Sequence, residues 1–259
     1  SLGIELLPEV HAHYSIQNKL AKKGHWIYDF ILPYRILETL LYRDSTDLLN
    51  YLKERPHKQF TMLDCHDGVP IKPDLDDLYD GARARKLVDT CLERGSNLSL
   101  IYAPEYHDPD GFDVHQIRGT YYSMLDKDDD AYIAARAIQF FAPGVPQVYY
   151  VGLLAGENDL AILDHGGEGR DINRHNYSLN EIKRDVEREV VQRLLRLIEF
   201  RNEYTAFDGE FAVLESDAAA IYLQWKKNEK KCTLKIDLGN YSTIIEYTTP
   251  QGDTIQFSV

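Results

Sequence analysis

The alternation of short apolar segments with amphipathic helical segments constrains the fold of this chain more than any other feature. The candidate strands are Ile4 to Leu7, Trp26 to Phe30, Phe60 to Asp64 and Gln147 to Val151. The predicted helices are Tyr34 to Tyr42, Asp47 to Glu54, Asp130 to Phe140 and Val186 to Glu203. This order is typical of a parallel sheet with helical crossovers. Four such units amount to half of an eight-stranded barrel, where chemistry collects at the carboxyl ends of the strands.

Two further patterns divide the chain. An irregular stretch mixes Pro, Asp, Gly and His, has one short helix near Arg83 to Glu93, and is long enough to be either functional or disordered. From about Gly209, apolar and polar residues alternate between Gly, Asn and Lys turns, which predicts a small antiparallel β domain. We therefore expect an α/β fold: barrel units over 1–67, an irregular excursion over 68–125, the last barrel units over 126–208 and the β domain over 209–259.

The composition disfavours several classes of partner. The 259 residues are 44% hydrophobic, enough for a folded, enzyme-sized chain. A net charge of −13 disfavours nucleic acid and anionic membranes. No apolar run approaches the roughly 18 residues that span a bilayer, and no signal peptide opens the chain. Three cysteines without C-x-x-C spacing fit a reducing compartment, so we expect a soluble, cytoplasmic protein.

Polar side chains follow two of the predicted strands. After the first strand come Glu9, His11 and His13, which period-two alternation places on one side. After the third strand come His66 and Asp67, which can serve one site only where the strand opens at the glycine and proline that follow. These five residues are the candidates for chemistry at a barrel mouth.

Three interpretations of these residues remain open. Carboxylates such as Glu9 and Asp67 suit glycosidic chemistry, in which one acid protonates the leaving oxygen and another stabilises or attacks the cationic carbon. His11 and His13 with a distant His66 and Asp67 also have the composition of a metal site. In the third interpretation, Glu9 and the histidines only satisfy one another structurally. Spacing alone does not choose among the three.

A basic cluster and the glycine-rich segments bear on cofactors. Arg170, Arg174 and His175 follow the loop of the last predicted strand, and they suit either a phosphate or a salt-bridge network that holds the loop. The glycines at 166, 167 and 169 lack dinucleotide spacing, and no P-loop motif occurs. We expect no nucleotide cofactor and no metal ion.

Four stretches of the chain resemble sucrose phosphorylases, which belong to the α-amylase clan and to glycoside hydrolase family 13. They are Leu7 to His11, Leu63 to Gly68, Ala135 to Gly156 and Gly169 to His175, and they occur in the right order. The resemblance covers essentially the whole chain, and the third stretch is highly specific. It implies a (β/α) barrel with a C-terminal β domain. It also implies a retaining double displacement: a carboxylate attacks glucose and releases fructose, and phosphate then takes the glucosyl group.

The resemblance also implies residue roles. Glu9 matches the general acid/base, Asp67 the transition-state stabiliser and His66 a glucose-binding residue. The residues matched to the glucose, acceptor or phosphate side are His11, Asp113, Gln116 and Arg170. The acid/base role requires Glu9 to be protonated before the first step and ionised after it.

Two departures from the family pattern matter. The nucleophilic Asp of the family lies in an Arg-x-Asp motif on an earlier strand, and nothing in this chain supplies it. The chain also opens directly on a strand-like segment after Ser1 and Leu2, which are consistent with a cloning remnant. We therefore expect the C-terminal half of a longer protein, inactive by itself.

The second departure is His115, which stands where sucrose phosphorylases typically carry Tyr. An imidazole pairs better than a phenol with a phosphate on the acceptor sugar.

The leading expectation is a fragment of a hexosyltransferase that acts on sucrose or sucrose 6-phosphate with inorganic phosphate. The products are glucose 1-phosphate and fructose or fructose 6-phosphate, and His115 favours the phosphorylated acceptor. The alternatives are a non-catalytic sugar-binding or assembly module and, less favoured, a metal-dependent barrel hydrolase. Because a half barrel leaves strand edges unpaired, we also expect self-association.

Overall fold

The computed structural model describes residues 3–259, so Ser1 and Leu2 lie outside the described residues. The described chain forms two compact units. The first unit holds the described residues up to Tyr34 together with Pro56–Lys127 and Gly144–Tyr177. The second holds Arg35–Arg55, Asp128–Pro143 and Ser178–Val259. The four-segment division stays a prediction.

The helices and strands are as follows in chain order. The helices are α1 Tyr14–Lys22, α2 Leu32–Tyr42, α3 Thr46–Glu54, α4 Gly81–Glu93, α5 Tyr121–Met124, α6 Asp129–Phe141, α7 Tyr150–Leu153, α8 Ala161–Asp164, α9 Leu179–Val186 and α10 Glu189–Glu203. Short 3-10 helices span Pro104–Tyr106, Gly169–Asn173 and Thr205–Asp208. The strands are β1 Ile27–Asp29, β2 Gln59–Thr61, β3 Val69–Pro70, β4 Asn97–Leu100, β5 Val114–Arg118, β6 Val145–Pro146, β7 Glu210–Val213, β8 Ala220–Lys227, β9 Lys230–Asp237, β10 Thr243–Thr248 and β11 Thr254–Ser258.

The first unit contains a parallel sheet in the order β1-β2-β6. Ile27 pairs with Gln59, and Phe60 pairs with Val145, both in parallel register. Parallel neighbours need crossover connections, and α2 and α3 stand between β1 and β2 in the chain. The α/β class and the second and third predicted strands are confirmed, although both strands are shorter than predicted.

The first predicted strand is wrong in this structure. Ile4 to Leu7 has no regular secondary structure, and Ile4 and Leu6 are 70% and 59% exposed. Within residues 3–259 no strand pairs with this segment, so its backbone groups are not held in a ladder.

The fourth predicted strand, Gln147 to Val151, is displaced. The strand here is β6, at Val145–Pro146, and α7 begins at Tyr150. A short apolar run fits a buried strand and a buried helix equally well, which explains the error. Gly144 fixes where the strand enters the sheet: it has φ 127°, and a Cβ there would lie 2.3 Å from the carbonyl oxygen of Gln59.

The segment between β2 and α5 is more regular than its composition predicts. It contains α4 and an antiparallel sheet in the order β3-β5-β4. Pro70 of β3 pairs with Gln116 of β5. A Cβ on Gly68 would lie 2.4 Å from the carbonyl oxygen of Ile117, so glycine allows the loop after β2 to pass close to β5. This contact brings Gln116 beside the end of that loop.

The second unit contains an antiparallel sheet in the order β11-β10-β9-β8-β7, which confirms the predicted β domain. Helix α6 is buried from Ala131 to Phe141. Arg201 of α10 donates to the carbonyl oxygen of Phe140 at 2.8 Å. Trp225 of β8 donates to the carbonyl oxygen of Phe141 at 2.7 Å. These bonds attach α10 and the sheet to the end of α6.

The predicted helix Val186 to Glu203 corresponds to α10, which begins at Glu189 and ends at Glu203, and the preceding helix α9 was not predicted. Arg188 has an extended backbone, with ψ 136°, which separates α9 from α10. The start of α9 carries a capping box in which Ser178 and Glu181 each accept from the other's backbone N–H. That motif is a local sequence signal for a helix start, which apolar periodicity alone does not reveal. Among the residues that the structure describes, no helix combines the length and apolarity needed to cross a membrane.

Candidate active site

His11 is held in place by a buried carboxylate. Its Nδ1 donates to Oδ2 of Asp74 at 3.3 Å, and its ring stacks on Phe30 with centroids 4.3 Å apart. Asp74 is fully buried, and its Oδ1 accepts from Gln17 at 2.9 Å. Because Asp74 uses Nδ1, the other nitrogen of His11 is directed to Glu9, 3.9 Å from Oε1.

The surroundings of His11 raise its pKa. Burial disfavours the charged imidazole, but the hydrogen bond and charge of Asp74 outweigh that cost. The negative charges of Glu9 and Asp67 act in the same direction. His11 is therefore a cationic neighbour for both carboxylates over a wider pH range than a free imidazole.

The loop after β2 carries His66 and Asp67, and two side chains bind its backbone. Nδ2 of Asn173 donates to the carbonyl oxygens of Cys65 and Asp67, both at 2.9 Å. Nε of Arg174 donates to the carbonyl oxygen of His66 at 2.8 Å. Three successive carbonyl groups are thus fixed from one 3-10 helix, and Asn173 is itself buried. This arrangement holds the loop open as predicted, so His66 and Asp67 both face the site.

The two loops converge. One oxygen of Glu9, one nitrogen of His11 and one oxygen of Asp67 all lie within 4.8 Å of one another. Oδ1 of Asp67 lies 3.5 Å from Nη2 of Arg174, and its Oδ2 lies 3.8 Å from Nε2 of His66. These groups lie on the wall of one cavity, and the predicted residues that line it are Glu9, His11, His66, Asp67 and Gln116.

A second cavity adjoins the first, because His11 lines both. His115 lines it, and its Nδ1 donates to the carbonyl oxygen of Lys72 at 2.5 Å. The ammonium of Lys72 forms an ion pair with Asp108, and both residues line the same cavity. Sequence reasoning did not find Lys72, because no motif or spacing marks it.

Three residues singled out from the sequence do not line these cavities. Oδ1 of Asp113 accepts from the backbone N–H of Asp108 at 2.7 Å. Arg170 is half-exposed and pairs with Glu168 at 2.9 Å. His13 caps α1 and lies 3.3 Å from Asp77. The expectation that His13 shares one side with Glu9 and His11 is wrong, because period-two alternation applies only to a strand.

Cys65 next to His66 is not an activated nucleophile. Burial raises the pKa of Cys65 to about 12, and nearby carboxylates act in the same direction. The thiol therefore stays protonated at neutral pH.

The cluster of Glu9, His11 and Asp67 offers one imidazole nitrogen and two carboxylate oxygens. A divalent cation accepts such donors, but acidic groups at this spacing are common without one. The geometry alone therefore leaves the metal interpretation without specific support.

Comparison with known proteins identifies what the chain is similar to. No family model matches the chain. It is 58% identical over 259 residues to the sucrose 6(F)-phosphate phosphorylase of Thermoanaerobacterium thermosaccharolyticum, covering 100% of this chain and 53% of that protein. This chain is a relative of the sucrose phosphorylases. It is also 41% identical over 258 residues to the sucrose phosphorylase of Streptococcus mutans, covering 98% of this chain and 53% of that protein.

Comparison with solved structures shows the same similarity to a phosphorylase of this kind. The crystal structure of sucrose 6F-phosphate phosphorylase from Thermoanaerobacter thermosaccharolyticum matches with a TM-score of 0.97 and 58% identity, covering 99% of this chain and 52% of that one. An α-amylase from H. orenii matches with a TM-score of 0.61 and 13% identity, covering 99% of this chain and 51% of that one, which shows a shared fold alone. The resemblance to sucrose phosphorylases is confirmed, and the fold is shared with an α-amylase. The chain spans about half the length of the relatives it matches.

Proposed function

We propose that this chain is the C-terminal half of a retaining phosphorylase that transfers a glucosyl group between a fructose acceptor and phosphate. The convergence of Glu9 and Asp67 within 4.8 Å carries this proposal. Two carboxylates that flank one sugar carbon are the groups that glycosyl transfer needs. The names of the phosphorylase relatives support the same reaction.

Each carboxylate has a separate task in this proposal. As the bond from glucose C1 to the fructosyl oxygen breaks, Glu9 donates its proton to that oxygen. Glu9 then takes a proton from phosphate, whose oxygen attacks C1 and displaces the enzyme nucleophile. Asp67 stabilises the positive charge that develops at C1. The 56% exposure of the Glu9 side chain leaves it accessible to both acceptors.

The proposed site needs parts that this sequence does not contain. The nucleophilic Asp belongs to the other half of the protein, so the chain alone does not turn over substrate. The segment Ile4 to Leu7 becomes a strand of a (β/α)8 barrel when a strand of that half lies beside it. His66 and Gln116 contact the glucose in the first cavity. The substrate-binding roles of Arg170 and Asp113 rest on the resemblance alone, because neither residue lines the two cavities.

The second cavity supports a phosphorylated acceptor, with sucrose 6-phosphate preferred to sucrose. His115 lines this cavity, and its Nδ1 is already used by the carbonyl oxygen of Lys72. Its Nε2 is therefore the ring atom for a ligand. The relative at 58% identity is named for a phosphorylated sugar.

Phosphorolysis by the full-length protein tests the proposal. We expect a higher kcat/KM for sucrose 6-phosphate than for sucrose, and a loss of about 100-fold or more in Glu9→Gln. Glu229→Gln, at an exposed turn of the β domain, is the matched control and should leave the rate unchanged.

Other results would count against specific parts of the proposal. An unchanged rate in Glu9→Gln would refute the acid/base assignment, and equal use of both sugars would remove the preference assigned to His115. Turnover by the isolated chain would contradict the missing nucleophile. Calorimetric binding of sucrose without turnover in the full-length protein would favour the sugar-binding module instead.

A further inference from the structure

We propose that Lys72 binds the phosphate of a phosphorylated acceptor sugar. Without that ligand, the carboxylate of Asp108 forms an ion pair with the Lys72 ammonium, and the phosphate displaces this carboxylate when it binds. The inference rests on the proposed function. It adds to that function the residue that selects a phosphate monoester over a neutral acceptor.

Lys72 is a buried cation on the wall of the second cavity. The residue is 4% exposed, and its ammonium lies 5.7 Å from the centre of the Phe112 ring. A buried ammonium is costly unless an anion compensates it. In the structure the carboxylate of Asp108 supplies that anion. An anionic group is therefore required next to Lys72 whether or not a ligand is bound.

The carboxylate of Asp108 is positioned to move away from the Lys72 ammonium. Its side chain is 39% exposed, and it lies in the loop between the 3-10 helix Pro104–Tyr106 and β5. The neighbouring His107, Asp110 and Gly111 are exposed as well. When a ligand takes its place, the carboxylate of Asp108 returns to water at small cost. Lys72, which is buried, cannot follow it, so the cation stays in the cavity for the ligand.

His115 provides a second donor beside Lys72. The hydrogen bond from its Nδ1 to the carbonyl oxygen of Lys72 couples the two residues directly. The Lys72 ammonium is a donor to anionic oxygen, and Nε2 of His115 is a second donor whenever the imidazole carries both of its protons. A phosphate monoester carries three acceptor oxygens and up to two charges, so it can bind both donors at once. A fructose hydroxyl has no charge with which to displace Asp108.

The remaining charges of the cavity make Lys72 indispensable. Asp76 lines the same wall, and burial raises its pKa, although the charge of Lys72 acts in the opposite direction. Among the residues that line this cavity, Lys72 alone carries a permanent positive charge. Without it, a phosphate would meet two carboxylates, Asp76 and Asp108. Removing this permanent cation therefore makes the charge that the ligand meets more negative.

The two cavities are close enough for one acceptor. His11 lines both, so a sugar whose reacting oxygen lies near Glu9 can extend its phosphate past His11 toward Lys72. Selection of the acceptor is then separate from the chemistry. A change at Lys72 should alter the KM for the phosphorylated acceptor and leave kcat nearly unchanged.

The test uses the full-length protein in the synthetic direction, with glucose 1-phosphate as donor and either fructose 6-phosphate or fructose as acceptor. In Lys72→Met we expect the KM for fructose 6-phosphate to rise about tenfold or more, because a hydrogen bond to a charged group is lost. The KM for fructose and both kcat values should stay within about twofold. Lys53→Met, an exposed lysine on α3, is the matched control.

Two further variants keep the test decisive. Asp108→Asn should lower the KM for fructose 6-phosphate, because a weaker competitor occupies Lys72. Lys72→Arg keeps the charge and should retain most of the preference, which covers the case in which Lys72→Met does not fold. Circular dichroism and the melting temperature establish folding for each variant.

The outcomes separate the inference from the proposed function. A wild-type protein that prefers the phosphorylated sugar, combined with an unchanged preference in Lys72→Met, overturns the inference and leaves the proposed function standing. An equal loss with both acceptors in a folded Lys72→Met also overturns it, because the role would then be structural. A wild-type protein that turns over neither sugar refutes the proposed function itself.

Discussion

His11 joins a buried carboxylate to the open cavity, and this position should make the stability of the protein depend on pH. The pKa of His11 is raised, so the folded protein binds this proton more tightly than the unfolded chain does. The stabilisation is fully present below the unfolded pKa of about 6.5 and is lost as the pH rises through the raised folded pKa. A protonated His11 also keeps the full attraction of Asp74, Glu9 and Asp67.

We predict that His11→Gln destabilises the protein more at about pH 5 than at about pH 9. Urea denaturation at both pH values measures the difference in the free energy of unfolding. His165→Gln, at an exposed position, is the control and should show little change at either pH. A destabilisation in His11→Gln that is the same at both pH values would contradict the account of its charge.

Helix α6 shows how a single element accommodates a buried charge. Arg136 is fully buried, and its Nε and Nη2 donate to the hydroxyl of Tyr132 at 3.0 and 2.6 Å. Its Nη1 donates to Gln139 at 2.9 Å. These partners lie one turn before and one turn after Arg136, so helical spacing itself places them beside the guanidinium.

We predict that Tyr132→Phe destabilises the protein by about 1 to 3 kcal/mol, because it removes an acceptor from a buried charged donor while keeping the ring. The midpoint and slope of urea denaturation give the change. Tyr222→Phe, a half-buried tyrosine on β8, is the matched control and should cost much less. Equal costs in the two variants would show that the hydroxyl of Tyr132 does not hold Arg136.

At the scale of the whole chain, the parallel sheet ends at β1 and β6 within the described residues. Ile4 and Leu6 are exposed, and no described strand pairs with the segment that contains them. Open edges and exposed apolar side chains favour association. We propose that the isolated chain self-associates through this region.

Light scattering over a range of concentrations tests this association. We expect the average mass of the isolated chain to rise with concentration and to fall in Ile4→Asp/Leu6→Asp. Ile255→Asp changes an exposed apolar residue of the β domain and should leave the mass unchanged. A constant monomer mass for the unaltered chain would reject the proposal.

The cytoplasmic location stays a prediction.

Much of the fold could be predicted because it is encoded locally. Helices α2, α3, α4 and α6 begin and end within two residues of their predicted bounds, since the amphipathic periodicity lies within each segment. Strand alternation likewise predicted the β domain. The errors at Ile4 to Leu7 and at Gln147 to Val151 have different causes. The first segment has no neighbouring strand among the described residues to accept its hydrogen bonds, whereas the second is a short apolar run that fits a helix as well as a strand.

The sequence by itself determined the fold class, the family resemblance and the chemically capable residues, because motifs such as those around Glu9 and Asp67 are continuous in the chain. Only the tertiary structure decided which side chains from distant parts of the sequence contact these residues. Asp74 orients His11, Asn173 binds the loop of Asp67, and Lys72 lies beside His115. These contacts join residues far apart in sequence, and a contact of that kind depends on how loops meet, so it leaves no local pattern to read.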